Sequence, residues 1–255
     1  MHDESVTILE NARVNEKYFK LIFRSGRMAR GAKPGQFVQM QINPSLDPFL
    51  RRPFSFYRIR GEKVEILYEI LGKGTAILSR KTKGESLRVL GPLGNTFTLK
   101  LPKVKKRVLV AGGVGVPPLI FLAEHFPVDE FLIGAKSKKE VLPKAELHGS
   151  HGKVTYATND GSYGAKGFVT VLLEPILKKA DPQGLWIQTC GPKPMMQAVM
   201  VMAKRYGVNG QASVDETMGC GVGVCLGCMV KTKEGWLPSC TRGPVFSFED
   251  INYRL

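Results

Sequence analysis

The chain has 255 residues, 43% of them hydrophobic and 23% charged, a balance that supports a buried core and fits one large or two modest globular domains. No apolar run approaches the roughly 20 residues of a membrane span, and the opening Met1-His2-Asp3-Glu4-Ser5 is polar and acidic, unlike a signal peptide, so the expectation is a cytoplasmic protein that does not enter a membrane. The net charge of +15 comes from short scattered groups, such as Lys103, Lys105, Lys106 and Arg107, without interleaved aromatics, which argues against nucleic-acid binding.

The first hundred residues read as strands and turns. Val6–Leu9, Tyr18–Phe23, Gln36–Met40 and Lys63–Tyr68 are β-branched or aromatic runs bounded by Gly, Pro and Asn, the pattern of an antiparallel barrel. One helical interruption is predicted over Gly74–Ser79. Near Leu101-Pro102 the pattern changes. Arg107–Ala111, Glu130–Gly134, Lys153–Ala157 and Leu185–Thr189 are buried-strand runs, separated by predicted helices over Pro117–His125 and Val169–Lys179 and followed by one ending at Tyr206. That alternation predicts a parallel α/β sheet. From about Val208 the tail is rich in Gly and Cys, with little periodicity. The expected division is 1–101, 102–207 and 208–255.

The tail carries the most specific chemistry. Cys220, Cys225, Cys228 and Cys240 follow a C-x4-C-x2-C-x11-C spacing. In a cytosolic chain such a cluster points to metal ligation rather than disulfides, and the spacing is that of plant-type [2Fe–2S] sites. Gly219, Gly221, Gly223 and Gly227 give a tight loop the freedom to wrap a cluster and aim N–H groups at its sulfurs. Structural zinc also takes four cysteines, although paired C-x2-C knuckles are its usual form.

Three further segments are candidates for cofactor binding. Arg52-Pro53-Phe54-Ser55 is held extended by its proline, so Arg52 and Ser55 can address one ligand, phosphate for the arginine. Gly72-Lys73-Gly74-Thr75, some 20 residues on, opens the predicted helix as a phosphate-binding turn or forms a hairpin turn. Gly112-Gly113-Val114-Gly115 follows a buried strand as a pyrophosphate loop would, but Pro118 stands where a dinucleotide fingerprint has its third glycine. Finally, Cys190-Gly191-Pro192 ends a parallel strand, where ligands bind; Cys190 reads equally as a nicotinamide contact or as a buried structural thiol. The four histidines, His2, His125, His148 and His151, show no ligand or catalytic pattern, and no Ser/His/Asp arrangement is visible, so no catalytic side chain is expected.

These motifs, in this order, resemble the ferredoxin-reductase superfamily. Within it, Tyr68–Thr75, Asn159–Val169 and Asp215–Cys228 resemble the electron-transfer subunits of class 1B dihydroorotate dehydrogenase, along essentially the whole chain. The resemblance implies a flavin-binding β-barrel, a nucleotide-binding α/β domain and an iron–sulfur tail. It implies FAD on Arg52, Pro53, Phe54 and Ser55, on Leu67, Tyr68 and Glu69, and on Gly74 and Thr75. It implies NAD near Gly112, Gly113, Gly115, Cys190, Gly191 and Pro192, and a [2Fe–2S] cluster on Cys220, Cys225, Cys228 and Cys240. It further implies a separate FMN-containing catalytic subunit in pyrimidine biosynthesis, assembled as a heterotetramer of two subunits of each kind. Lys136, Lys138 and Lys139, after the second strand of the α/β sheet, depart from the acidic residue that would favour NAD over NADP. Two alternatives stand: the small subunit of a ferredoxin:NADP oxidoreductase or sulfide dehydrogenase, in which an aspartate replacing one cysteine would be expected, and a zinc-stabilised binding module without redox chemistry.

Overall fold

The computed structural model describes residues 1–147, 149 and 152–252; His148 and His151 lie outside the described residues. Seven strands form the first sheet: β1 (His2–Arg13), β2 (Tyr18–Arg24), β3 (Phe37–Gln41), β4 (Arg52–Ser55), β5 (Arg58–Arg60), β6 (Lys63–Glu69) and β7 (Ser86–Leu93). Their order is β4-β3-β7-β1-β2-β6-β5, antiparallel in every pair. The sheet curls into a half-barrel: the rings of Phe54 on β4 and Tyr68 on β6 meet edge-to-face at 5.8 Å. Alternation drives the curl, since Ile8, Leu21, Phe23, Val38, Met40, Ile66 and Val89 all point into one apolar core. Two short helices interrupt the strands. Helix α1 (Gly26–Gly31) is capped by Ser25, whose side chain accepts from Met28 N, and α2 (Lys73–Leu78) falls where the helical interruption is predicted.

The second sheet holds β8 (Lys106–Gly112), β9 (Glu130–Ala135), β10 (Lys153–Thr158), β11 (Ala165–Lys166), β12 (Leu185–Cys190), β13 (Asn209–Ser213) and β16 (Val245–Ser247), in the order β11-β10-β9-β8-β12-β13-β16. All pairs are parallel except the last. Helices α3 (Val116–His125), α4 (Thr170–Lys179) and α5 (Lys193–Arg205) supply the crossovers. The sheet continues past residue 207: β13 and β16 extend it, and the cysteine-bearing segment lies between them in sequence. That segment adds a hairpin, β14 (Met229–Thr232) and β15 (Gly235–Pro238), and a four-residue turn of helix, α6 (Ser239–Arg242). The tail therefore has more regular structure than its weak periodicity predicts.

Helix α3 carries an unbroken apolar run because it is covered on both sides. It packs on the parallel sheet through Leu119, Leu122 and Ala123, and Phe121 enters the barrel core beside Phe56, ring centroids 6.3 Å apart. Beside it, Arg58 of β5 reaches across the junction. Its Nε donates to Glu124 Oε1 on α3 at 2.5 Å, and its Nη2 donates to the Glu146 carbonyl at 2.7 Å. Tyr57 Oη donates to the same carbonyl at 2.7 Å, and Lys20 Nζ lies 2.6 Å from Glu146 Oε1. These bonds fix how the two sheets face one another, and the cleft between them is the candidate site.

Candidate cofactor cleft and cysteine loop

A cleft of about 370 Å³ opens where the half-barrel meets the carboxyl ends of β8, β12 and β13. The barrel side contributes Arg52, Pro53, Phe54 and Ser55 from β4, Leu67, Tyr68 and Glu69 from the end of β6, and Gly74 and Thr75 from α2. These nine are the barrel residues singled out in the sequence, and they form one wall because β4 and β6 meet where the sheet curls. Arg52 lies across α2: a Cβ on Gly74 would come within 2.8 Å of its Nε. The Thr75 hydroxyl accepts from the backbone N–H groups of Leu71 at 2.9 Å and Gly72 at 3.2 Å, holding the Gly72–Thr75 turn in shape.

The opposite wall is the nucleotide-domain edge. Cys190 and Gly191 line the cleft; Gly112, Gly113, Gly115 and Pro192 do not, although Val114 and Pro117 from the same loop do. Gly115 has a different reason to be glycine. A Cβ there would lie 2.1 Å from the carbonyl oxygen of Cys190, so the loop after β8 and the end of β12 approach as closely as they do only without a side chain. Burial pushes the Cys190 thiol up to about 12, helped by the Asp215 carboxylate, so the thiol is neutral at physiological pH. Ser213 stands beside it, since Cys190 pairs with Ser213 across β12 and β13. Ser213, Asp215 and Met218 also line the cleft and were missed in the sequence. Ser213 ends β13, whose short run in a glycine-rich tail does not announce a strand, and Asp215 and Met218 lie beyond it in the Asp215–Cys228 segment. Asp215 opens onto the cleft but is crowded by protein, and that burial together with the Glu69 carboxylate holds its own carboxyl above the ordinary value.

The four tail cysteines come together as two pairs. The Cys220 and Cys225 side chains are in hydrogen-bonding reach of one another, as are those of Cys228 and Cys240. Backbone N–H groups point at the sulfurs: Val222 and Cys225 donate to Cys220 Sγ at 3.4 Å each, Gly223 to Cys240 Sγ at 3.2 Å, and Cys240 to Cys228 Sγ at 3.4 Å. Burial raises the Cys220 thiol, but the N–H donors of Cys225 and Val222 outweigh it and bring the group down to about 6, a thiolate at neutral pH. Burial and the adjacent Cys228 sulfur push Cys240 up to about 12. Leu226, between the second and third cysteines, is the one non-glycine residue with positive φ among the described residues, at +55°. Phe37, Leu93 and Met218 wall off Cys228 and Cys240 from water, while Cys225 is exposed.

This donor set fits a two-iron cluster: thiols in two pairs, backbone donors aimed at sulfur, and one dry flank. Among the described residues no three His, Cys, Asp or Glu side chains converge on one point, as a single tetrahedral zinc ion would need. The cleft suits a flavin nucleotide equally well, with a cation, a glycine turn and the rings of Phe54 and Tyr68 on the barrel wall and a neutral thiol on the wall opposite.

Comparison with known proteins agrees with this geometry. A family model for the iron–sulfur cluster binding domain of dihydroorotate dehydrogenase B matches residues 215–252. The chain is 38% identical over 235 residues to the dihydroorotate dehydrogenase B (NAD(+)) electron transfer subunit of Desulforamulus reducens, covering 88% of each chain. It is 34% identical to that of Caldanaerobacter subterraneus subsp. tengcongensis, covering 96% of each, and 36% identical to that of Clostridium acetobutylicum, covering 94% of this chain and 93% of the relative. Among solved structures, one of NADH-dependent reduced ferredoxin-NADP oxidoreductase superposes with a TM-score of 0.85 at 25% identity, covering 97% of this chain and 90% of the other. Phthalate dioxygenase reductase superposes at 0.66 and 16% identity, covering 91% and 87%, and shares the fold. With relatives this similar over nearly their full length, the chain belongs to the family of dihydroorotate dehydrogenase B (NAD(+)) electron transfer subunits.

Proposed function

We propose that this chain passes electrons from the FMN of a separate dihydroorotate dehydrogenase catalytic subunit, through a [2Fe–2S] cluster and FAD, to NAD⁺ in pyrimidine biosynthesis. The observation that carries the reading is the adjacency of the two sites: Met218 lines the cleft and packs against Cys228 and Cys240. When bound, the flavin supplies the exchange between hydride transfer at a nicotinamide and single-electron transfer at a cluster.

The chain's own residues bind, orient and exclude water. Arg52 and the Gly72–Thr75 turn hold the flavin's pyrophosphate, and Phe54, Tyr68 and Leu67 form an apolar wall for it. Cys190 and Gly191 leave room for a nicotinamide on the other side, with a thiol that stays uncharged. Cys220, Cys225, Cys228 and Cys240 hold the cluster. The barrel takes residues 1–101; the nucleotide domain takes 102–207 together with β13 and β16, and the cluster segment is the stretch between those two strands. NAD is the expected nucleotide: Asp160, whose N–H donates to the Lys136 carbonyl at 3.3 Å, sets a carboxylate beside the basic loop, and Lys139 pairs with Glu16 at 3.3 Å.

The catalytic partner docks beside the cluster. Phe49 is 70% exposed and Val224 79% exposed, on two loops that adjoin where a Cβ on Gly219 would lie 3.8 Å from Leu50 Cδ1. Leu46, on the loop of Phe49, and Leu226, on the loop of Val224, are exposed as well, so both loops present apolar side chains near the exposed Cys225 loop. The expected assembly is a heterotetramer of two subunits of each kind in the cytoplasm. Among the described residues no helix is long and apolar enough to cross a membrane.

The superposition on ferredoxin-NADP oxidoreductase keeps a second reading, a small subunit serving ferredoxin and NADP. Co-purification with the catalytic subunit, followed by an assay of dihydroorotate-driven reduction of NAD⁺ and NADP⁺, separates the two. Reduction of NAD⁺ that requires both chains is expected. Activity with reduced ferredoxin and NADP⁺ but none with dihydroorotate would reject the proposal.

A further inference from the structure

Strand β3 presents two faces. Val38 and Met40 enter the barrel core, while Phe37 faces the other way and packs against Met218, Cys228 and Cys240. Gln39 shares the face of Phe37 and is a polar residue in an apolar contact. It is 0% exposed, and neither Nε2 nor Oε1 has a hydrogen-bond partner among the described residues. The side chain lies against Gly221, next to Cys220. A Cβ on Gly221 would come within 2.5 Å of Gln39 Cγ and 3.1 Å of its Nε2, and Gly221 has a φ of +75°. Glycine at 221 therefore makes room for the glutamine. A second unpartnered buried group, the Ser239 hydroxyl, immediately precedes Cys240.

A primary amide withdrawn from water and left unpaired bears its full desolvation cost, and an apolar residue of similar volume would pack there without it. A partner that arrives with the cofactor accounts for the residue, and the acceptors such a cofactor brings to this loop are sulfurs. We infer that the Gln39 side-chain amide donates a hydrogen bond to a sulfur of the bound iron–sulfur cluster and raises its reduction potential. A donor at sulfur draws off negative charge and so favours the more negative, reduced form. The inference rests on the reading that the four tail cysteines hold a [2Fe–2S] cluster.

The test uses the co-purified complex of both subunits, as wild type and as Gln39→Met, with glutamine side chains labelled with ¹⁵N. A redox titration of the cluster followed by electron paramagnetic resonance, and pulsed measurement of ¹⁵N couplings to the reduced cluster, are the readouts. Expected are full iron content in the variant, a cluster potential shifted to more negative values, and a ¹⁵N coupling present in the wild type and lost in the variant. Unchanged potential and coupling in a variant with full iron content would overturn the inference. If the variant fails to retain its cluster, the wild-type coupling decides: its presence supports the bond and its absence refutes it. A wild-type complex without a [2Fe–2S] signal would instead overturn the cluster reading itself.

Discussion

Cys190 is held as a neutral thiol, because burial and the Asp215 carboxylate both oppose its ionisation and push it up to about 12. A raised thiol value means the proton is kept below that pH and lost only above it, so no step near neutrality draws on a Cys190 thiolate. Replacing it by serine is expected to slow hydride exchange with NADH by altering contact with the nicotinamide, while the shape of the pH–rate profile between about pH 6 and 9 stays that of the wild type. Stopped-flow reduction of the bound flavin across that range checks it, and an inflection that vanishes in Cys190→Ser would refute it. Cys220 differs because its surroundings differ: donors from Val222 and Cys225 stabilise the thiolate that a metal needs.

Among the elements, β5 and α3 carry the junction that sets the cleft's width. The Arg58 side chain is 7% exposed and that of Glu124 is 4% exposed, so removing the arginine leaves the buried Glu124 with Arg60 alone, at 2.8 Å, and Glu146 with Lys20. Arg58→Met, which removes charged hydrogen bonds to Glu124 and Glu146, is expected to lower stability by about 1.5–3 kcal/mol, read from denaturant unfolding. Glu146 adds a pH signature. Burial raises its carboxyl, but hydrogen bonds from Lys20 and Tyr57 outweigh this and hold it below the ordinary 4.5. A depressed carboxylate contributes stability that is full above 4.5 and lost as pH falls through the lower folded value. The gap between wild type and Lys20→Met is therefore expected to narrow on acidification below 4.5; a gap independent of pH would contradict this role for the junction. None of this junction is legible from the sequence, because Arg58, Glu124 and Glu146 are far apart in the chain and each alone reads as surface charge. The barrel wall was legible, since Arg52–Ser55 and Leu67–Thr75 are local motifs whose turn chemistry sits within a few residues. In the loop after β8, Gly115 serves the close approach of two strand ends and Gly113 a left-handed turn at φ +52°, as much as any ligand.

At the scale of the molecule, two sheets and one loop arrange a nucleotide edge, a cleft and a cysteine pair-of-pairs in a line that ends at an apolar surface. The alternation of strands and helices made the two sheets legible, and the cysteine spacing made the metal centre legible. The return of β16 to the parallel sheet was not, because three residues that pair only with β13 leave no periodic trace. That return places the cluster segment against the barrel rather than on a free tail. Phe49→Glu and Val224→Glu, each placing a charge on the exposed apolar surface, are expected to weaken association with the catalytic subunit at least tenfold while leaving flavin and iron contents intact. Calorimetric or gel-filtration titration with the partner reads it, and unchanged affinity in both variants would move the docking site elsewhere. The central claim, that this chain conducts between a nicotinamide and an iron–sulfur centre through a flavin, is tested most directly by anaerobic titration of the purified protein with NADH. The visible spectrum should show flavin and [2Fe–2S] bands that both bleach, with two iron atoms for each FAD. Bleaching of the flavin with a cluster that stays oxidised at excess NADH, or a colourless protein containing zinc, would contradict it.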